Sequence, residues 1–374
     1  MTTRIHLVSL PHTETTRAYS WCAYTEKVRK FADMMMSLDN YEIILYAGER
    51  NEAACTEHVV IFDKIWQSKM FGHYNWSKDV FNEWDSASLC WMEANRRAIE
   101  AVSPRARPGD ILGIIGGSCQ AAIVHALPQL WPVEWGVGYG GVFTPYRVFE
   151  SYAWQHHLAR KEPTDDIRFF DAVIPNSFES RSFPLGKGNG GYYLFIGRLI
   201  RRKGPHIAAE ATARLGLPLL LAGQGVQKAS PGRFEGIDVV VEGPHVSHVG
   251  VVGPKRRAEL MGGARAVFVP TIYLEPFGGV AVEAMMCGTP VITTDWGAFT
   301  ETVVQGVTGF RCRTLAEFVE AGRKAGRLDR AAIRTYALSR YSTSVVRHQY
   351  DAYFKRLMTL KGEGWYADVE AVVP

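Results

Sequence analysis

Residues 275–292 read EPFGGVAVEAMMCGTPVI. A carboxylate, Glu275, precedes a Pro-Phe-Gly-Gly turn, and a second, Glu283, follows inside an otherwise apolar run. Val280, Ala281, Val282, Ala284 and Met285 surround Glu283, so a helix serving only to pack would not choose a carboxylate there. Residues 267–270 before this stretch read as a strand, TIYLEPFGG as the loop at its carboxyl end, and Gly278 or Gly279 as the start of a helix ending at Cys287. Pro276 fits the position just ahead of a helix start. Such a strand–turn–helix unit belongs to a parallel α/β sheet, whose ligands bind at the carboxyl ends of the strands.

The same alternation extends in both directions. Strand-like runs are expected at 5–10, 42–46, 111–115, 135–139 and 172–175, then at 192–196, 219–221, 239–241, 267–269 and 291–293. Amphipathic helical patterns lie between them, at 23–38, 118–130 and 278–287 among others, and 340–358 reads as one final helix. The turn-rich PLGKGNGG at 184–191 separates the two sets. The fold class is therefore α/β, with two Rossmann-like doubly wound domains facing a cleft. The expected boundaries are 1–183, 190–340, and a C-terminal segment 341–374 crossing back to the first domain.

Length agrees, since 374 residues exceed one ordinary core. No apolar run approaches the roughly 18 residues of a membrane span, and the N-terminus does not read as a signal peptide. Six scattered cysteines without C-x-x-C spacing fit reduced thiols in a cytoplasmic protein and no metal site. Charge is uneven: residues 1–180 hold 17 Lys and Arg against 22 Asp and Glu, and the remainder 25 against 16. The basic second half suits an anionic ligand, although solvated helix faces near the C-terminus would explain the excess equally well.

In the second half, GRLIRRKG at 197–204 follows a strand. Gly197 is expected to turn the chain tightly, and Arg198 and Lys203 to clamp a diphosphate, Arg as a planar fork and Lys as a point charge. LLLAGQG at 219–225 runs a buried strand into Gly223 and Gly225, which would let a ligand approach the backbone. Free N–H groups where Gly278 and Gly279 open a helix suit phosphate or sugar hydroxyls. Carboxylates accept hydroxyl hydrogen bonds in pairs, so Glu275 and Glu283 complete a site for a sugar joined to a phosphorylated group.

GRLIRRKG, AGQG, EPFGGVAVEAMMCGTPVITTDWGAFTE and GVTGF, in this order and spacing, resemble the donor domain of glycosyltransferase family 4, a retaining family with the GT-B fold. The likeness is close over about 190–312, and its Glu–seven residues–Glu signature falls on Glu275 and Glu283. The resemblance implies that Arg198 and Lys203 hold the donor diphosphate and that Glu283 binds the nucleotide ribose. It places Glu275 near the anomeric carbon, with Gly197, Gly223 and the N–H groups of Phe277, Gly278 and Gly279 lining the donor. Glu275, Arg198 and Lys203 would form the catalytic set. Enzymes of this family usually need no metal, and the sequence holds no Asp-x-Asp. A uridine diphosphate sugar is the expected co-substrate, with no cofactor.

The first half departs from that family. PHTETTRAYSWCAYTEKV at 11–28 replaces a glycine-rich loop, and Tyr139, Gly140 and Gly141 stand where a His is common. His12, Tyr139, Arg147 and Glu150 are the acceptor-side candidates, with the pair His156–His157 of unassigned role. Eight of ten tryptophans precede residue 160, and FGHYNW at 71–76 and TPYRVFESYAW at 144–154 are aromatic, polar stretches. Such rings stack on sugars or bases, or simply fill a core. The leading expectation is sugar transfer to a sugar, lipid-linked sugar or small-molecule hydroxyl. Peripheral membrane contact through KVRKFADMMM at 27–36 stays open. The compact first half also resembles phage-type members, which makes hydroxymethylated bases in DNA an alternative acceptor. The acidic first half argues against that partner, while KVRK and RRAIEAVSPRAR argue for it. Further alternatives are a non-transferring nucleotide-sugar binder and an epimerase or phosphorylase on the same fold.

Overall fold

The computed structural model describes residues 2–361, 365 and 366, apart from Trp21, His73, 75–80, Asn82, Glu162, Pro163 and Asp165. Trp21, Trp76 and most of the segment after 361 thus lie outside the described residues. Among the described residues, no helix is long and apolar enough to cross a membrane. All six cysteines are free thiols. The chain divides into two compact units, Met1–Glu150 with Gln155–Ser177 and Val346–Pro374, and Ser151–Trp154 with Phe178–Val345.

The first unit is built on strands β1 (Thr3–Val8), β2 (Tyr41–Gly48), β3 (Glu57–Phe62), β4 (Ile111–Ile114), β5 (Trp131–Val137), β6 (Tyr146–Phe149) and β7 (Ala172–Val173). They form a sheet in the order β3-β2-β1-β4-β5-β6-β7, and every pairing is parallel. Both faces are covered, which is why β2 and β4 are apolar almost throughout rather than alternating. Helices α1 (Ala23–Met35), α2 (Lys64–Phe71), α3 (Leu89–Val102), α4 (Ala121–Ala126) and α5 (Tyr152–Ala159) follow the pattern of crossovers. Asp63 caps α2 by accepting from the Trp66 N–H. His6, fully buried in β1, is satisfied by Tyr46 Oη at 2.9 Å and Asp110 Oδ2 at 3.0 Å.

The second unit carries β8 (Tyr193–Ile196), α6 (Pro205–Leu215), β9 (Leu219–Ala222), β10 (Lys228–Ser230), β11 (Arg233–Glu235), β12 (Val240–Glu242), β13 (Val246–His248), α7 (Pro254–Gly263), β14 (Val267–Val269), α8 (Gly279–Met286), β15 (Val291–Thr294), α9 (Phe299–Thr302), β16 (Gly309–Cys312), α10 (Leu315–Ala325) and α11 (Arg330–Tyr341). Its parallel sheet runs β13-β9-β8-β14-β15-β16. Pro205 and Pro254 open α6 and α7 at the first helical turn, where a missing N–H costs nothing. Thr314 and Glu317 close a reciprocal capping box on α10.

Several expected boundaries move. β1 ends at Val8, and β5 begins at Trp131 with Pro132 in register opposite Leu112. The helix expected over 118–130 shrinks to a 3-10 turn and the short α4, because Leu127 already leaves helical geometry ahead of Pro128. The strand expected at 239–241 is not in the parallel sheet: β12 belongs to a separate antiparallel sheet, β10-β11-β12. The single helix expected over 340–358 breaks at Ser342, whose extended backbone bridges to Phe178, and α12 (Thr343–Leu357) starts afresh. Within the first unit, Val346, Tyr350, Phe354 and Leu357 of α12 join a core with Phe31, Tyr41 and Trp135. The spacing of three and four residues puts these four on one helix face.

At Gly204, between Lys203 and α6, φ is +75° and an added Cβ would lie 2.1 Å from the Pro270 carbonyl oxygen. Gly216 at the far end of α6 has a similar φ of +67° but open space around it. Gly204→Ala should therefore lower stability by about 1–3 kcal/mol more than Gly216→Ala in chemical denaturation, because only the first adds a backbone clash to the strain. Equal losses would show that the contact with Pro270 relaxes freely.

Candidate active site

At the carboxyl ends of β8 and β14, a cavity of about 70 Å³ is lined by Gly197, Lys203, Thr271, Glu275, Gly278 and Gly279, among others. That is space for about two waters, enough to seat one small part of a ligand. Five of the nine expected donor-side residues meet here.

Lys203 is the hub. Its ammonium donates to Tyr273 Oη at 2.6 Å and to Glu275 Oε2 at 3.0 Å. An ammonium has three donors, so one remains for a ligand oxygen. Tyr273 is clasped on its ring by Arg202, whose guanidinium carbon lies 4.0 Å from the ring centroid. Burial, reinforced by the charge of Glu275, pushes the Tyr273 phenol well above the ordinary tyrosine range, so it stays a neutral hydroxyl. Arg198, by contrast, is exposed and has no ion-pair partner among the described residues.

Helix α8 begins at Gly278, a left-handed cap with φ +77°. A Cβ there would sit 2.4 Å from the Phe299 ring. The N–H groups of Gly279 and Val280 come too early for partners within the helix, and both residues line the cavity. Their dipoles add positive potential beside Lys203. Phe277 is not presented to the cavity: its ring is 3% exposed and stacks on Phe178, so its side chain anchors the turn.

Glu283 sits apart from that cavity. It accepts from Arg257 Nη2 of α7 at 2.9 Å through Oε1. The carboxylate in an apolar run thus has a protein partner, which the sequence did not reveal. The glycines also act differently from expectation. Gly197 has no left-handed φ, and an added Cβ would make only ordinary contact with Phe195. The tight approach falls on Gly223, where φ is +135° and a Cβ would lie 2.2 Å from the Gly197 carbonyl oxygen. At Gly223 the close neighbour is the chain itself.

In the first unit, all four acceptor-side candidates are engaged in internal contacts. Arg147 makes a two-pronged ion pair with Asp171, at 2.8 and 2.6 Å, with both side chains almost fully buried. Glu150 is buried and paired with Lys27, which also donates to the Gly136 carbonyl. Tyr139 donates to Glu134 at 3.4 Å. Glu134 also accepts from the Phe143 and Thr144 N–H groups, yet burial still raises its acid range. His12 lies stacked on Phe81 at 3.8 Å, in a loop whose residues 11–16 are all buried. In the same loop, Thr13 Oγ1 lies 2.5 Å from Thr25 Oγ1.

Residues 177–324 match the family model described as "Glycosyl transferases group 1". Over 161 residues, 37% of this chain and 35% of the relative, the sequence is 31% identical to glycogen synthase of Mycobacterium tuberculosis. The chain spans about a third of the length of the curated relatives it matches. It superposes on AviGT4, a glycosyltransferase involved in avilamycin A biosynthesis, with a TM-score of 0.67 over 97% of this chain and 99% of that one, at 19% identity. The Anabaena protein Alr3699/HepE, solved in complex with UDP and glucose, superposes with a TM-score of 0.60 over 93% and 98%, at 15% identity. The fold is GT-B.

The matched segment of this GT-B chain contains Lys203, Glu275 and Glu283 and excludes nearly all of the first unit. Sequence reading missed Tyr273, Arg202 and Arg257. Tyr273 stands two residues before Glu275 in a quoted loop, so its position was visible but not its reach to Lys203.

Two outcomes are expected. Tyr273→Phe keeps the ring and removes the hydroxyl that receives Lys203, and should weaken a diphosphate-containing ligand about threefold to tenfold by titration calorimetry. His12 is held neutral by burial, its pKa depressed to about 3 from an ordinary 6.5. Below 6.5 the unfolded chain gains a proton that the folded chain refuses, so stability falls with pH between 6.5 and 3. In His12→Gln the stability lost between pH 7 and pH 5 should shrink by about 2 kcal/mol, read from denaturation midpoints at the two pH values.

Proposed function

We propose that this protein is a retaining, metal-independent glycosyltransferase that moves a sugar from a nucleoside diphosphate sugar, with uridine as the preferred base, to an acceptor hydroxyl. The observation that carries the reading is the meeting of Lys203, Glu275 and the open start of α8 in one cavity at the carboxyl ends of β8 and β14. A cation, a carboxylate and free N–H groups are what a diphosphate bonded to a sugar requires: the first and last take phosphate oxygens, the carboxylate takes sugar hydroxyls. The match over 177–324 and the likeness to a structure solved with UDP support the same assignment.

In this reading, the bond from the anomeric carbon to the diphosphate breaks and the electron pair leaves with the diphosphate. A bond from the acceptor oxygen forms on the same face, and the acceptor's proton passes to the departing phosphate. Lys203, supported by exposed Arg198, stabilises the charge that develops on the leaving group. Preplacement matters because Tyr273 and Glu275 already fix the ammonium before the donor arrives, so no reorganisation is needed during reaction. Glu283, its Oε1 held by Arg257, receives the ribose hydroxyls on its other oxygen.

Titration with UDP and a panel of nucleotide sugars should give saturable binding, weakened about tenfold to a hundredfold in Glu283→Ala. Lys203→Ala should lower turnover by about a hundredfold or more. Activity should persist in EDTA. A Glu283→Ala protein that binds every nucleotide sugar as tightly as the native one would remove the donor-site assignment.

A further inference from the structure

Four residues of the second unit come from far upstream in the sequence. Ser151–Trp154 belong to it, although Glu150 before them and Gln155 after them belong to the first unit. They also lie outside the segment 177–324 that matches the family model. Ser151 is 2% exposed, and its hydroxyl donates to the Pro276 carbonyl at 2.6 Å. The same oxygen accepts from the Trp154 N–H at 3.1 Å and so caps the start of α5. Glu301 of α9 takes the two N–H groups before that one, Tyr152 at 2.9 Å and Ala153 at 2.7 Å, with one carboxylate oxygen each. The first three donors of α5 are thus satisfied within the second unit, and the Ser151 proton is spent on the turn that opens α8.

We propose that Ser151 is a positioning residue for the donor: by holding the Pro276 carbonyl it aims the Phe277 N–H at the outer phosphate of a nucleoside diphosphate, and Glu301 keeps Ser151 in place; the term donor rests on the transferase reading above.

The geometry of the peptide bond makes the connection. A trans peptide is planar, so its C=O and N–H point in opposite directions. The Pro276 carbonyl and the Phe277 N–H share one such plane. A bond on the carbonyl therefore sets the direction of the N–H, which points away from Ser151. Among the described residues, the N–H groups of Phe277, Gly278 and Gly279 have no hydrogen-bond partner. Glu275 on one side of this peptide and Gly278 and Gly279 on the other line the cavity. Few other handles could hold the turn. Pro276 has no N–H, and Gly278 and Gly279 have no side chains. The carbonyls remain: the Ala298 N–H holds that of Glu275 at 3.0 Å, and Ser151 holds that of Pro276. With both carbonyls held, the free N–H groups of 277–279 make a short run of donors at the start of a helix, an arrangement that favours an anion. Without the Ser151 hydroxyl, the peptide between 276 and 277 is free to rotate about its flanking bonds, and the donor loses its aim.

The test uses the full chain, with UDP and UMP as separate titrants in calorimetry and with amide hydrogen exchange read by mass spectrometry. UMP keeps the ribose and lacks the outer phosphate. Ser151→Ala should weaken UDP about threefold to tenfold, the worth of one hydrogen bond, and leave UMP affinity unchanged. Exchange of the 275–280 backbone should quicken in the same variant, with β8 and β14 unaffected. Ser151→Thr, which keeps a hydroxyl that can both donate and accept, should restore UDP affinity and slow exchange. Glu301→Ala leaves that hydroxyl in place and removes the partners of the Tyr152 and Ala153 N–H groups. It should show the same selective loss, and it serves should Ser151→Ala fail to fold. UDP affinity unchanged in both alanine variants, equal weakening of UDP and UMP, or no quickening of exchange at 275–280 would each overturn the proposal while UDP binding by the native chain keeps the transferase reading. No UDP binding by the native chain would remove the transferase reading, and the donor role of Ser151 with it.

Discussion

Three turns at the carboxyl edge of the second sheet are packed backbone against backbone, and the candidate site hangs on them. A Cβ on Gly204 would lie 2.1 Å from the Pro270 oxygen, one on Gly223 2.2 Å from the Gly197 oxygen, and one on Gly297 2.9 Å from the Glu275 backbone. Side chains at these points would push the loops apart. The separation of Lys203 from Glu275 is 3.0 Å, and an ion-paired hydrogen bond loses most of its strength if it lengthens by an ångström. The Ala298 N–H, donating to the Glu275 carbonyl at 3.0 Å, fixes the same loop from its other side.

With the loops fixed, the polar groups are left partly used. Among the described residues, Lys203 has two side-chain partners for its three donors, Glu283 meets Arg257 through Oε1, and the first N–H groups of α8 come too early for partners within the helix. Each charge is thus compensated before any ligand arrives, which limits the cost of burying it. Lys203 still offers one bonding position, which is the condition for binding without rearrangement. The first unit treats most of its buried charges otherwise. Arg147 and Asp171 consume each other, and Glu134 is saturated by the turn it holds.

Antiparallel β10-β11-β12 shows where local pattern misleads. Residues 239–241 have the apolar character of a parallel-sheet strand, yet β12 pairs Arg233 with Glu242 and Phe234 with Val241 across a tight turn. The short connection decides: a parallel partner needs a crossover of a dozen or more residues, and between β11 and β12 only 236–239 intervene. β3, β6 and β16 went unread for a related reason. β3 is an edge strand with exposed positions, and β6 carries Arg147 in its middle, so neither shows a clean apolar run.

The sequence by itself determined the alternation of strand and helix and the turn residues between them. These are local properties: a period of hydrophobicity, a glycine where φ is positive, a proline in the first turn of a helix. Only the tertiary structure decided who pairs with whom. Lys203 meets Tyr273 across 70 residues, Arg257 meets Glu283 across 26, and Arg147 meets Asp171 across 24. A charged residue's letter states what it can donate or accept, but its partner is set by which loops the sheet brings to the same edge, and that follows from strand order and not from any window of sequence.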